Sequence, residues 1–154
     1  MHQLLICLMV ALGGFMLQPA EAAWAVGTSE DTSDEAEGEE TALTEARGAI
    51  ASENYAAAVP MLVRLVDAHP DWADAWNLLG FSYRKLGQYD QAGAAYDRAL
   101  ALNPDHRGAL EYQGELFLKI GQPEKARANL DRLKALCGDC EEAGDLAEAL
   151  AAAS

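Results

Sequence analysis

Two thiols set three residues apart, in Cys137-Gly138-Asp139-Cys140, carry the sharpest chemistry in this sequence. Such a pair can cycle between dithiol and disulfide, or offer two sulfurs to a metal ion. Redox work needs a thiolate, which is favoured at a helix N-terminus or beside cations. Cys137 is expected at the C-terminal end of a helix, where the dipole disfavours negative charge. Asp139, Glu141 and Glu142 disfavour it further. A c-type haem site needs His after the second Cys, and Glu141 stands there. A zinc site needs four ligands, of which the pair supplies half. The expected product is a small disulfide between Cys137 and Cys140, pinning one helix to the next. Thiol-redox or metal-handling work by the pair is the alternative reading. His69 and His106 lie at helix ends near Pro70 and Pro104 and read as exposed loop residues, not ligands. The sequence has no Gly-rich phosphate loop, no H-E-x-x-H and no recognisable Ser nucleophile motif. No catalytic residue, cofactor or metal site is therefore expected, and the chain does not read as an enzyme.

The elements that must hold these residues are helices. The chain has 154 residues, room for one domain, and 51% of them are apolar. It contains 31 Ala and 21 Leu, both strong helix formers. After Val66 the only β-branched residue is Ile120, which nearly excludes a sheet in the second half. The fold class is read as all-α.

Both ends differ from the middle. Leu4 to Leu17 is an apolar run too short to span a bilayer. Ala20-Glu21-Ala22 supplies the small-x-small pattern of a secretory cleavage site. Residues 1–22 are therefore read as a signal peptide cut after Ala22, with no Lys or Arg ahead of its apolar run. Cys7 does not fit a lipid-attachment site, because Leu4-Leu5-Ile6 lacks small residues. Export implies the periplasm of a bacterium, where disulfides form, and no membrane attachment after cleavage. Eight acids and no base lie between Thr28 and Glu45, so residues 23–40 are expected to be an acidic disordered leader. The stretch from Arg47 to Cys140 holds all 11 bases and 12 acids and is nearly neutral. The net charge of −14 thus belongs to the ends. It argues against nucleic acid as a partner.

The middle repeats with a period of 34 residues. Trp76-x-x-Leu79-Gly80-x-x-Tyr83 is followed by Ala92-x-x-x-Tyr96, Ala99 and Pro104. One period back, Ala46, Tyr55, Ala58 and Pro70 take the places of Gly80, Tyr89, Ala92 and Pro104. One period on, Gly114, Phe117, Pro123, Ala126 and Gly138 do so for Gly80, Tyr83, Tyr89, Ala92 and Pro104. Gly80 and Ala92 are small where two helices cross closely. Trp76, Leu79 and Tyr83 share one helical face. The pattern predicts three helix pairs, 39–72, 73–106 and 107–140, within 41–140. A capping helix over 141–154 places Leu146, Ala149, Leu150 and Ala153 on one face.

At every signature position the stretch from Ala73 to His106 resembles a tetratricopeptide repeat, with Tyr96 where the pattern has Phe. The segment from Gly48 to Leu150 also resembles a group of small exported bacterial tetratricopeptide repeat proteins that end in a Cys pair, Glu-Glu and a Leu-containing helix. The resemblance implies a right-handed α–α superhelix whose inner wall, built from the first helix of each pair, binds a protein or peptide. On that wall Asn77, Phe81 and Arg84 are spaced i, i+4 and i+7. Their counterparts are Leu43, Arg47 and Ile50 one repeat back, and Glu111, Glu115 and Leu118 one repeat on, with Tyr112 adjacent. Arg47, Asn77, Phe81, Arg84, Tyr112 and Glu115 are the expected partner-binding residues. The Lys and Asn set that grips a C-terminal carboxylate in part of that family is missing. The expectation is a periplasmic adaptor or scaffold, monomeric or weakly self-associating, with a protein or peptide partner.

Overall fold

The computed structural model describes residues 31–153, with side chains from Gly38 onward. The expected signal peptide and residues 23–30 of the expected leader lie outside the described residues. Seven helices and no strand occur among the described residues: α1 (Asp31–Ala51), α2 (Tyr55–Ala68), α3 (Ala73–Lys85), α4 (Tyr89–Leu102), α5 (Arg107–Lys119), α6 (Pro123–Cys137) and α7 (Glu141–Ala152). None is long and apolar enough to cross a membrane.

The starts of α3, α5 and α7 fall at Ala73, Arg107 and Glu141, one period apart each time. The starts of α2, α4 and α6 at Tyr55, Tyr89 and Pro123 keep the same period. Each helix pair closes on itself (α1 with α2, α3 with α4, α5 with α6), and each first helix packs on the pair before it. α7 lies against both α5 and α6, where the first helix of a fourth pair would stand. The chain is an all-α stack of three pairs with a capping helix.

One expectation is corrected. Residues 31–40 are not a disordered leader: α1 begins at Asp31 and runs through them to Ala51. Carboxylates in the first turns of a helix interact favourably with its dipole, so an acidic run there extends the helix instead of dissolving it.

Three clusters fill the stack. Leu43, Ala46, Leu62, Leu65, Val66, Ala75 and Leu79 join the first two pairs. Ala92, Tyr96 and Leu116 join the second to the third. Leu110, Leu130, Leu133, Leu146 and Leu150 bind the third pair to α7. Gly80 is where the period demands a missing side chain. A Cβ there would sit 2.7 Å from Cδ1 and Cε1 of the Tyr96 ring, which is fully buried.

Both histidines do more than the sequence suggested. His106 caps α5: its Nδ1 accepts the Ala109 N–H at 3.1 Å, so its proton sits on Nε2, which donates to Asp74 Oδ1 at 2.9 Å. His69 Nε2 lies 2.8 Å from Glu39 Oε1, and its ring stands edge-on to Trp72. Each ties the end of one pair to another helix.

Candidate functional site

α1, α3, α5 and α7 occupy equivalent places and form one side of the stack. Phe81, on α3, is half-buried. Its ring centroid lies 4.9 Å from that of Tyr112 on α5 and 6.0 Å from that of Tyr55 at the start of α2. The Arg84 guanidinium carbon sits 5.3 Å from the Phe81 centroid and 5.5 Å from that of Tyr112. Lys85 Nζ is 5.3 Å from the Phe81 centroid. A cation over an aromatic face is attracted by the ring quadrupole, so these side chains hold one another in place.

Arg84 is the hinge of the cluster. It pairs with Glu115 through Nη1 and donates from Nε to the Tyr96 hydroxyl at 3.4 Å. Its side chain is only 8% exposed. Burial pushes the Tyr96 hydroxyl far above the ordinary tyrosine range, and Arg84 partly opposes that. Burial also raises Tyr112, with Glu111 and Glu115 adding to it. Neither phenol ionises near neutral pH, and both keep their hydroxyl proton.

Beyond Arg84 the wall opens into a groove of about 530 Å³, lined by Arg84, Lys85, Glu115, Leu118, Lys119, Ala149 and Ala152 of α7, and Ala153 just after it. This end of the first helices is basic. The opposite end is acidic, with Asp74, Glu111, Glu142 and Asp145 on α3, α5 and α7. Bases near C-termini and acids near N-termini complement the helix dipoles. The same placement gives the wall a direction.

Four of the six expected wall residues, Phe81, Arg84, Tyr112 and Glu115, are thus in one cluster of contacts. Arg47 is exposed on α1, outside it. Asn77 departs from expectation: it is 7% exposed and turned against Gly108 of α5, not open on the wall. Leu43, the counterpart of Asn77 one repeat back, is 1% exposed and belongs to the core. The cause is the close approach of consecutive first helices, which covers this position in all three repeats, Glu111 included.

Three residues that matter here were not among the expected partner-binding residues, although Glu111 was placed on the wall. Glu111 is 7% exposed, and burial beside Glu115, Asp145 and Glu142 pushes its carboxyl up to about 8, with Arg84 opposing. Glu142 and Asp145 come from α7, which had been assigned only a capping role. A signal existed, because both stand one period after Gly108 and Glu111.

The Cys137 and Cys140 sulfurs are 2.03 Å apart, at bonding distance, with α-carbons 5.6 Å apart. They bridge the end of α6 to the start of α7. With Glu142 they bring three potential ligand atoms within 4.8 Å of one another.

A stack of antiparallel helix pairs with one wall of first helices defines an α–α superhelical repeat protein. Models of the tetratricopeptide repeat match residues 43–81, 73–106 and 109–137. Together they span more than half of the chain, which belongs to the tetratricopeptide repeat family. No curated protein matches it in sequence. Among solved structures it is similar to the TPR2B domain of yeast Sti1 in a complex with pHsp70, at 17% identity over 75% of this chain and 94% of that one, with a TM-score of 0.68. It is also similar to the Yersinia enterocolitica type III secretion chaperone SycD in complex with a peptide of the translocator YopD, at 19% identity over 74% and 87%, TM-score 0.65. The first TPR of Spaghetti (RPAP3), bound to an HSP90 peptide, matches at 20% identity over 73% and 93%, TM-score 0.66. At these identities the likeness is one of fold.

Proposed function

We propose that this chain is an exported, non-enzymatic scaffold that binds a segment of another protein along its wall of first helices. The single observation that carries the reading is the half-open cluster of Phe81, Tyr112 and Arg84 beside the groove of about 530 Å³. Aromatic and Arg side chains held rigid at the edge of a groove are what binding hot spots are made of. The fold neighbours named above include three solved with bound partners or peptides. Export to the periplasm rests on residues 1–22 and on the Cys pair, read as a disulfide that an oxidising compartment would maintain. The working state is a monomer or a weak self-associate.

The test must spare Arg84, because its loss would also unseat Glu115 and Tyr96. Phe81→Ala combined with Lys85→Glu removes the ring and inverts an exposed charge. In a periplasmic extract this variant should retain none of the proteins that the unaltered chain captures, while its circular dichroism spectrum at the capture temperature stays that of the folded helical chain. Equal capture by the two would remove the wall as the binding surface.

The second reading, thiol-redox or metal-handling work, is favoured by the grouping of Cys137, Cys140 and Glu142. The acids around the pair weigh against a reactive thiolate. Titration of the native protein decides: two rapidly alkylated thiols would support this reading, and none would support the scaffold.

A further inference from the structure

The first pair lacks what the second pair receives from the chain before it. Trp76 Nε1 and Arg98 Nη2 both donate to the Pro70 carbonyl, each at 3.1 Å, and so tie the second pair to the turn that precedes it. One period back these positions are Ala42 and Arg64. Ala42 puts a methyl where Trp76 has an indole. Arg64 is exposed and has neither an ion pair nor a hydrogen bond among the described residues. Ala36, one period before Pro70, lies inside α1, so no turn carbonyl stands there for Arg64. Ala42 and Arg64 both line a groove of about 460 Å³ between α1 and α2, together with Met61, Leu65 and Ala68. Among the described residues, α3 is the one element that packs on these two helices. A repeat stack needs both ends covered, and α7 does this only at the other end.

We infer that residues 23–26, Ala-Trp-Ala-Val, fold back into this groove as the N-terminal cap of the stack. The Trp24 indole takes the space beside Ala42, and a backbone carbonyl of the segment accepts from Arg64. The inference stands apart from the wall-binding reading, because none of these residues belongs to the cluster of Phe81, Tyr112 and Arg84.

The length of chain outside the described residues fits this occupant. From Asp31, where α1 begins, to Gly38, the first residue that lines the groove, is about 10 Å along the helix axis. From Gly27 back to Trp24 is also about 10 Å when the chain is extended. A reversal over Gly27-Thr28-Ser29, residue types that favour turns, brings Trp24 level with Gly38. An added Cβ at Gly38 would meet nothing within 4 Å, so the groove is open on that side. The composition fits as well. Ala23 to Val26 is apolar, whereas the residues that follow turn acidic from Glu30 onward. Because the segment is tethered, its effective concentration at the groove is on the order of millimolar, and few contacts suffice to hold it.

The test is nuclear magnetic resonance on the full chain with labelled methionine methyls and arginine side chains. Nuclear Overhauser contacts should join the Trp24 ring to the Met61 methyl, and the Arg64 guanidinium protons should exchange slowly with water. Both should be unchanged on dilution. Trp24→Ser should remove the contacts, shift the Met61 methyl and speed Arg64 exchange severalfold, while the amides of Leu146 and Leu150 keep their positions. Trp24 lies outside the seven helices, so the variant keeps the stack in which the groove is read. Absence of contacts in the unaltered chain, with Met61 and Arg64 the same in both proteins, would overturn the cap. Contacts that fade on dilution would overturn it too, because they would assign the groove to a second copy of the chain.

Discussion

The two ends of the stack use the same repeat positions for opposite purposes. Leu43 on α1 and Glu111 on α5 stand two periods apart, and both are almost wholly buried. Leu43 is a core residue, whereas Glu111 buries a carboxyl among other acids. Ala46 and Gly114 are equivalent as well. Ala46 packs within the first cluster, but a Cβ at Gly114 would fall 2.6 Å from Leu146 Cδ2 of the capping helix. Arg47 is exposed, while Glu115 is held by Arg84. Stacking therefore dictates which positions are covered and leaves their chemistry free. The N-terminal end spends them on packing, and the C-terminal end on a charged, directional surface.

The largest expected effect tests the packing at the C-terminal end. Leu146 is fully buried and fills the space Gly114 leaves open. Leu146→Ala should cost about 4 kcal/mol, the range of large cavity-forming changes. Urea unfolding measures it, and amide exchange should show α7 losing protection first. A cost below about 1 kcal/mol would mean that α7 is not anchored there, and the contrast with the N-terminal end would lose its basis.

The next effect tests the chemistry. The Glu111 pKa is raised from 4.5 to about 8, so the folded state holds a proton that the unfolded chain gives up. Its contribution to stability is complete below about pH 4.5, is lost as pH rises through 8, and stays lost above that. Glu111→Gln carries no such dependence. The variant should gain on the unaltered chain between pH 5 and pH 9, on the order of 3 kcal/mol, with groove water screening part of the full shift. Thermal melts at matched pH check it. Leu43→Gln, the same side chain at the opposite end, should only destabilise, at every pH. A flat difference for Glu111→Gln would erase the distinction between the ends.

Adding reductant should matter less. A bond between the Cys137 and Cys140 sulfurs, which lie 2.03 Å apart, would close a very short loop, and that limits the entropic gain to about 2 kcal/mol. Leu130, Leu133, Leu146 and Leu150 already hold α6 to α7. A melt with and without reductant should shift by a few degrees at most. A collapse on reduction would show that the bond, not the apolar cluster, attaches the cap.

Much of this was legible in the residues. Gly80 and Ala92 announced a close crossing, and the period placed the starts of α3, α5 and α7. What escaped were contacts between repeats, which a one-period motif does not contain. Arg98 donates to the Pro70 carbonyl at 3.1 Å, and Arg132, one period on, donates to that of Pro104. Each seals a helix end 28 residues earlier in the chain. The spacing of the two arginines was visible, yet neither its purpose nor the burial of Asn77 could be inferred without the neighbouring helix. The helical reach of α1 was hidden differently: acids with small polar residues read as unfolded until a helix exists for them to begin.

The smallest effect returns to the N-terminal end and has the opposite sign. Gly87 and Gly121 end α3 and α5 with φ of 74° and 73°. Their counterpart after α1 is Glu53, which adopts φ of 56°. A side chain in the left-handed region costs roughly 1 kcal/mol relative to Gly, because its Cβ crowds the backbone. Glu53 is exposed, so its side chain offers no packing in return. Glu53→Gly should therefore stabilise the chain by about 0.5 to 1 kcal/mol, less the extra freedom Gly gives the unfolded state. Gly121→Glu, the reverse exchange at the other end, should cost a similar amount. If both substitutions destabilise, the turn after α1 gains something from its glutamate that the other two turns do not need, and the ends differ in their turns as well as in their walls.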